Sequence, residues 1–515
     1  MAIKELANGR GAAASDTGGG DVKAHFVFIP LMFQGHLIPA VDTALLLATH
    51  GALASIVVTP SNAGRVRPAV DAAHKSGLPV RLLVLPLDLA AEGLPAGADD
   101  VDKVPPDLWT NYFRALARLA APLEHHLRAD SDGAAAATPY PTCVVADFCH
   151  PWARELAANL GVPRLTFFSM CAFCLLCQHN VERFEAYAGV ADDNELVVVP
   201  GLEKRFVVSR AQAPGFFRGT PGFEKFGDDV EEVLTQADGI VTNSFLEMEP
   251  KYVAGYAAAR NMKVWTVGPV SLYHHRRGAA TTVAARGNTT AIAADECLRW
   301  LDGKEPSSVV YVSFGSIAHA AAKQAVELGL GLEASGHPFI WVVKNADQHG
   351  DDVTEFLREL EERVAGRGLL IRGWAPQVLI LSHAAVGGFV THCGWNSTME
   401  AVAAGLPVVA WPHFADQFLN AKFAVEVLGI GVDVGVTEPV IYRMDQKEIV
   451  VGREAVEEAV RSVMDGGEEG EERRRRARAL AAKARAAVEE GGSSHGNLLD
   501  LVKTFGLGAG CFATA

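Results

Sequence analysis

A histidine set just past a buried apolar run can take a proton from a hydroxyl near neutral pH. The stretch "HFVFIPLMFQGHLIP" holds one in His36. A hydroxyl is a weak nucleophile until its proton leaves, and a neutral imidazole is the side chain best matched to removing it. The imidazolium that forms needs a counter-charge and a fixed tautomer. "TCVVADFC" ends a second apolar run with Asp147, whose carboxylate can supply both, with the acceptor oxygen as nucleophile. Taken alone, His36 reads more readily as a satisfied structural histidine and Asp147 as a helix cap.

A second polar set crowds "GGFVTHCGWNSTMEAVAAG". This stretch passes from a strand-like run through a Gly-containing turn into helical spacing. A helix start carries unpaired N–H groups and partial positive charge, so it can hold phosphate. Gly394 lets the backbone approach closely. His392, Asn396 and Ser397 add donors, and Glu400, a helical turn past Asn396, suits a ribose diol. "VSFGSIA" offers Gly315 and Ser316 as a second cradle, although a lone Gly-Ser turn is more simply a turn. In "GWAPQ" the indole of Trp374 can stack on a base, or serve only as a packing anchor. Asp416 and Gln417 in "WPHFADQFLN" can bind adjacent sugar hydroxyls; alone, they read as a loop or helix cap.

Metal-like patterns are weaker. "CAFCLLC" (Cys171, Cys174, Cys177) has no second ligand pair and sits among Phe and Leu, so it reads as packing. The pairs Asp100 and Asp102, and Asp130 and Asp132, fall in Gly/Ala/Pro-rich segments and read as solvated loop acids. No metal is expected. The eight cysteines follow no disulfide framework. GxGxxG is absent, which disfavours a dinucleotide oxidoreductase.

The elements that position these residues are short apolar runs alternating with helical spacing. "HFVFIP", "ASIVVTP", "VRLLVLPL", "TCVVAD" and "PRLTFF" form one series. "SSVVYVSFGS", "FIWVVK", "GLLIRGW", "AVGGFVTH" and "LPVVAW" form another. Both predict parallel sheets covered on both faces, and ligands bind at the carboxyl ends of such strands. The fold class is therefore α/β, with two Rossmann-like doubly wound domains facing across a cleft. Residues 1–22 read as a disordered tail, 23–270 as the first domain, 271–294 as a linker, 295–480 as the second domain, and 481–515 as a returning helix and tail. The run Arg473 to Arg476 follows an acidic run and reads as a salt-laced solvent face. A net charge of −15 argues against nucleic acid or an anionic membrane as partner and favours a small molecule. No window reaches a membrane span and no secretory signal opens the chain, so a cytoplasmic protein is expected.

The segment Trp374 to Gln417 closely resembles, without a gap, the 44-residue signature box of plant UDP-dependent glycosyltransferases. "FIPLMFQGHLIPAVDTALLLATHG", "NSFLEMEP", "LGLEASGHPFIWVVK" and "GGSSHGNLLDLV" resemble that family's other segments, nearest the subgroup acting on flavonoids, triterpenoids and steroid-like hormones. The resemblance implies a GT-B fold that binds the acceptor in the first domain and a UDP-sugar in the second, without a metal or other cofactor. It implies that Trp374 stacks on uracil, with Ala375 and Gln377 near the base. It places Glu400 on the ribose, and His392, Asn396, Ser397 and Ser316 on the diphosphate. Trp395, Asp416 and Gln417 would face the sugar, and Ser169 falls near a residue that can touch it. A closing Gln is associated with glucose, so Gln417 suggests UDP-glucose. His36 and Asp147 fall on the family's catalytic pair, which implies inverting O-glucosyl transfer to a small lipophilic metabolite by a monomer. Another UDP-sugar, a C- or N-glycoside, or a non-catalytic nucleotide-sugar binder are the alternatives. His150 stands where an apolar residue is usual, and would be an accessory polar contact at the acceptor pocket or a plain structural histidine.

Overall fold

The computed structural model describes residues 24–132, 138–213, 215, 222–272, 287–288, 290–315, 322–344, 351–439 and 450–506. The tail read at 1–22, most of the linker and Ser316 lie outside them.

Runs of Val, Ile, Leu and Phe with no polar alternation make strands buried on both faces, and parallel sheets need such strands. The first sheet has seven: β1 (His25–Ile29), β2 (Leu53–Val58), β3 (Val80–Val84), β4 (Cys143–Asp147), β5 (Arg164–Phe168), β8 (Gly239–Thr242) and β9 (Val264–Thr266). Their spatial order is β3-β2-β1-β4-β5-β8-β9, with every pairing parallel. The two-residue strands β6 (Val197–Val198) and β7 (Val207–Val208) form a separate antiparallel pair. The second sheet holds β10 (Val309–Ser313), β11 (Phe339–Val343), β12 (Gly368–Arg372), β13 (Val386–Thr391), β14 (Val408–Ala410) and β15 (Gly431–Asp433). Its order is β12-β11-β10-β13-β14-β15, again parallel throughout. In each sheet the order reverses once, between β1 and β4 and between β10 and β13. At that point the crossovers leave to opposite faces and a crevice opens at the carboxyl ends.

The two halves are joined by packing as well as by chain. One apolar cluster takes in Phe168 and Phe173 from the first half, and Trp395 and Phe423 from the second. The helix Glu468–Val488 runs unbroken past residue 480 and buries Ala477, Ala481 and Ala484. Small residues let it lie close to the end of helix Trp395–Ala404, where a Cβ on Gly405 would come within 3.2 Å of Ala481. The arginine run departs from a plain solvent face. Arg473 and Arg474 turn inward and donate to the carbonyls of Ser462 and Val463, at 2.8 and 2.9 Å. They thereby satisfy carbonyls left unpaired where helix Arg453–Met464 ends. Arg475 and Arg476 pair with Glu472.

The last described helix, Ser493–Gly506, returns to the first half. Asp500 accepts from Trp265 Nε1 and Lys263 Nζ, both at 2.6 Å, and Asn497 donates to the Thr266 carbonyl. Phe505 packs edge-on against Phe26 and Trp265 and is buried. Phe505→Ala empties this corner of the core, so it should cost about 3 kcal/mol. Denaturant unfolding followed by circular dichroism reads this directly; a loss below roughly 0.5 kcal/mol would mean that the helix is only loosely attached.

Candidate functional site

His36 is in the first turn of helix Gln34–Thr49, which starts at the carboxyl end of β1, and Asp147 is the last residue of β4. The β1–β4 pairing sets Ile29 opposite Ala146 and so brings both residues to the crevice. His36 Nδ1 lies 2.7 Å from Asp147 Oδ2. Asp147 is fully covered, whereas the His36 side chain keeps 23% of its surface. An ionised carboxylate can only accept, so Nδ1 carries the proton and Nε2 keeps a free lone pair. Burial pulls the His36 pKa down, but the charge and hydrogen bond of Asp147, with Asp416 further off, leave it raised overall. Burial would raise Asp147, and His36, His150 and the Cys149 N–H bring it below its usual value instead. His150 is not at the pocket surface. It is buried, and its Nε2 is 3.1 Å from the Pro30 carbonyl, so it braces the loop after β1.

The helix Trp395–Ala404 begins at the carboxyl end of β13, with Gly394 at its cap position and no side-chain cap. Its start is thus open to an anion. Cys393 just before it has φ +61°, a left-handed conformation uncommon for a residue with a side chain. Asn420 Nδ2 holds that turn by donating to the Cys393 carbonyl at 3.0 Å and to Asp416 Oδ2 at 2.6 Å.

Gly394 and Gly315 both make room for the His392 ring. A Cβ on either would lie within 2.6 Å of the ring at closest. Burial, then neighbouring His413, holds the His392 pKa down to about 3, and burial holds His413 at about 4. His392 Nδ1 and His413 Nε2 are buried nitrogens without a hydrogen-bond partner among the described residues. Two neutral imidazoles with unused nitrogens beside a helix start suit a phosphate.

Gln377 Nε2 donates to Ser397 Oγ at 3.0 Å and to Glu400 Oε2 at 2.8 Å, which fixes the carboxylate expected to meet ribose. Ala375 is buried at the foot of the same loop. Trp374 is half-buried, and the end of the stretch read as linker pairs with it: Thr290 bridges to Trp374, and Ala291 donates to its carbonyl. Gly287, with φ +84°, lies against the indole, where any Cβ would collide. Asn288 accepts from Gln34 at 2.8 Å and Arg65 at 2.6 Å, tying this segment to the first half.

Asp416 is pushed up to about 6 by burial, against Asn420 and the nearby His36. It lies close enough to His36 for the two to act on each other's charge. Gln417 is buried, and its Oε1 accepts from the N–H of His413 and of Phe414, which leaves only its amide nitrogen for a ligand. Ser169 is buried at the carboxyl end of β5.

Two expected ligand contacts are engaged across the cleft. The Trp395 indole is buried and donates to the Asn243 carbonyl at 2.7 Å, so toward a sugar it offers its backbone rather than its ring. Asn396 Nδ2 donates to the Gly35 carbonyl, and its Oδ1 accepts from Asn243 Nδ2 at 3.2 Å. The Gly35 carbonyl is available because Pro39, four residues on, has no N–H to give it.

Asn243, Asn288, His413 and Asn420 were missed in the sequence. Only Asn420 left a signal, a helical turn after Asp416. The cysteine cluster is core: Cys171 caps helix Ala172–Arg183, and Cys174 and Cys177 are buried. Asp100 is not a free loop acid, because Arg65 holds both its oxygens at 3.0 and 3.1 Å. Asp130 and Asp132 end a helix, Ala120–Asp132, rather than lying in a loop.

Residues 294–451 match the family model described as UDP-glucoronosyl and UDP-glucosyl transferase. UDP-glycosyltransferase 73E1 of Stevia rebaudiana is 43% identical, over 93% of this chain and 96% of its own length. UDP-glycosyltransferase 73D1 of Arabidopsis thaliana is 42% identical over the same shares. The crystal structure of Glycyrrhiza uralensis UGT73P12 complexed with glycyrrhetinic acid 3-O-monoglucuronide has a TM-score of 0.84 at 36% identity, covering 94% of this chain and 96% of that one. Phytolacca americana UGT2, complexed with UDP-2fluoro-glucose and pterostilbene, has a TM-score of 0.70 at 27% identity, covering 94% and 99%. Among the described residues no helix is long and apolar enough to cross a membrane.

The clasp at Gly35 can be tested without any ligand. Pro39→Ala supplies an N–H that competes with Asn396 for the Gly35 carbonyl. Alanine is favoured over proline inside a helix by about 3 kcal/mol, so thermal stability should hold or rise. Amide exchange at the start of helix Trp395–Ala404 should nevertheless quicken several-fold. Unchanged exchange there would remove Pro39 from this role.

Proposed function

We propose, for a chain that belongs to the plant UDP-glycosyltransferase family and glycosylates small plant metabolites, that it is an inverting O-glucosyltransferase using UDP-glucose. The acceptor is a hydroxyl on a lipophilic phenolic, terpenoid or steroid-like molecule. The observation that carries this reading is the 2.7 Å contact of His36 with buried Asp147, opposite an uncapped helix start across one cleft.

His36 Nε2 takes the acceptor proton. The oxygen attacks the anomeric carbon in line, the bond to UDP breaks, and the configuration passes from α to β. Asp147 holds the tautomer and balances the imidazolium. The helix start at Trp395, with His392 and Ser397, stabilises the departing diphosphate. Asn396 can share that task by exchanging its bond to Gly35 for one to phosphate. Trp374 stacks on uracil, and Glu400, oriented by Gln377, binds the ribose. Asp416 and the Gln417 amide meet glucose hydroxyls, with Ser169 near the sugar. No metal takes part, so activity should persist in a chelator. The relatives crystallised with glycyrrhetinic acid 3-O-monoglucuronide and with pterostilbene support a small lipophilic acceptor. The glucuronide keeps a second UDP-sugar as the alternative donor.

Incubating the protein with UDP-glucose and a panel of flavonoids, terpenoids, steroids and phenols, read by mass spectrometry, tests the proposal. A hexosyl product is expected; products only from another UDP-sugar would overturn the donor. His36→Ala should lower kcat by roughly 10²–10⁴-fold with UDP affinity retained. A rate within a few-fold of the parent would remove His36 as base.

The pH profile gives an independent check. The neutral ring is needed and its pKa is raised, so kcat/KM should be full above that raised value and fall as pH drops through it. Asp147→Asn removes the main raising influence, burial then dominates, and the acid limb should move to lower pH. An unmoved limb would mean that another group titrates.

A further inference from the structure

The Asp147 carboxylate serves a second side chain. Cys149, two residues on, gives its backbone N–H to Asp147 Oδ1 at 3.0 Å, and its thiol is buried beside the same residue. A ring nitrogen of His36, a carboxylate oxygen of Asp147 and the Sγ of Cys149 all lie within 4.8 Å of one another. Among the described residues these three are the group of His, Cys and acidic side chains so placed. The three cysteines with metal-like spacing in sequence, Cys171, Cys174 and Cys177, do not form such a group.

A tetrahedral ion with bonds of about 2.0 Å to nitrogen and oxygen and about 2.3 Å to sulfur sets its ligand atoms roughly 3.3–3.6 Å apart. The His36–Asp147 pair at 2.7 Å must open somewhat, and Cys149 can close in. One imidazole, one carboxylate and one thiolate suit a borderline-soft cation and not Mg²⁺ or Ca²⁺, which want oxygen throughout. Partly exposed His36 gives the ion a way in from the cleft.

We propose that His36, Asp147 and Cys149 form an inhibitory site for a zinc-class divalent cation, with its fourth position open to the cleft. The proton balance explains the inhibition. In the free protein Cys149 holds its thiol proton and His36 holds one on Nδ1. On binding, the thiol proton goes to solvent, the cation takes Nδ1, and the ring's single proton moves to Nε2. The nitrogen that receives the acceptor proton is then already protonated. This consequence rests on His36 being the base; the binding itself does not.

The test uses the full chain without a tag, stripped of metal by a chelator. Zn²⁺ is titrated in competition with a chromophoric chelator, and Co²⁺ is titrated for its near-ultraviolet thiolate band. The chain should bind one equivalent and show that band. Cys149→Ser keeps the side-chain shape but loses the thiolate; it should lose the band and bind Zn²⁺ roughly 100-fold more weakly. Cys177→Ala should bind like the parent. Equal binding by parent and Cys149→Ser, or no site in the parent tighter than roughly 100 μM, would overturn the proposal. Transfer from UDP-glucose, each protein relative to its own metal-free rate, should be inhibited by Zn²⁺ and restored by chelator in the parent, and should resist Zn²⁺ in Cys149→Ser. Metal binding without any transfer activity would contradict the proposed function and leave the site standing.

Discussion

The carbonyl of Gly35 has no helical partner, because the residue that should donate to it is Pro39, and the halves of the molecule are fastened there. Asn396, on the first turn of the helix that faces the cleft from the other side, takes that carbonyl. Asn243 then joins Asn396 and the Trp395 indole to the first sheet. A buried unpaired carbonyl costs on the order of 1–3 kcal/mol, so the vacancy created by proline favours closure over any arrangement that leaves it dry and empty. The consequence is spatial. His36 is the next residue after Gly35, and the uncapped helix start is where Asn396 sits. One hydrogen bond thus holds His36 and that helix start at a fixed separation.

Electrostatics in the cleft follow from what each buried group has beside it. His36 has two carboxylates near it, and they offset the cost of burying its charge. Burial keeps His392 and His413 neutral, and the second ring adds to the effect on His392. A neutral imidazole beside an open helix start does not attract anions from bulk as strongly as a cation would. In the proposed reaction it would offer a donor that gains strength as charge develops on the leaving diphosphate, which is the differential binding that lowers a barrier. Protonation is therefore favoured at His36 and disfavoured at His392 and His413, as the proposed reaction requires.

Much of this was legible in the chain. Strands buried on both faces cannot alternate, so "HFVFIP" and "AVGGFVTH" declared themselves, and with them the parallel sheets. His36, Asp147 and the polar cluster from His392 to Glu400 stood out because polar residues directly after such runs must lie at carboxyl ends. Partners more than a hundred residues apart carried no such mark. Asn243 and Asn288 look like ordinary loop residues until the second half is folded against the first. Arg65, which turns Asp100 from a loop acid into an ion pair, was equally invisible.

Local physics therefore determined the sheets, the helix starts and the residue types available for proton transfer and phosphate binding. Each of those depends on neighbours within a few residues: strand burial on an apolar run, a helix start on its cap, an open carbonyl on a proline four positions later. Tertiary structure decided which of those groups remain free. It turned the Trp395 ring into the core, braced the β1 loop with His150, fixed Glu400 through Gln377 and brought Cys149 beside the His36–Asp147 pair. Such choices rest on distances across two sheets, which side-chain sequence alone does not encode locally.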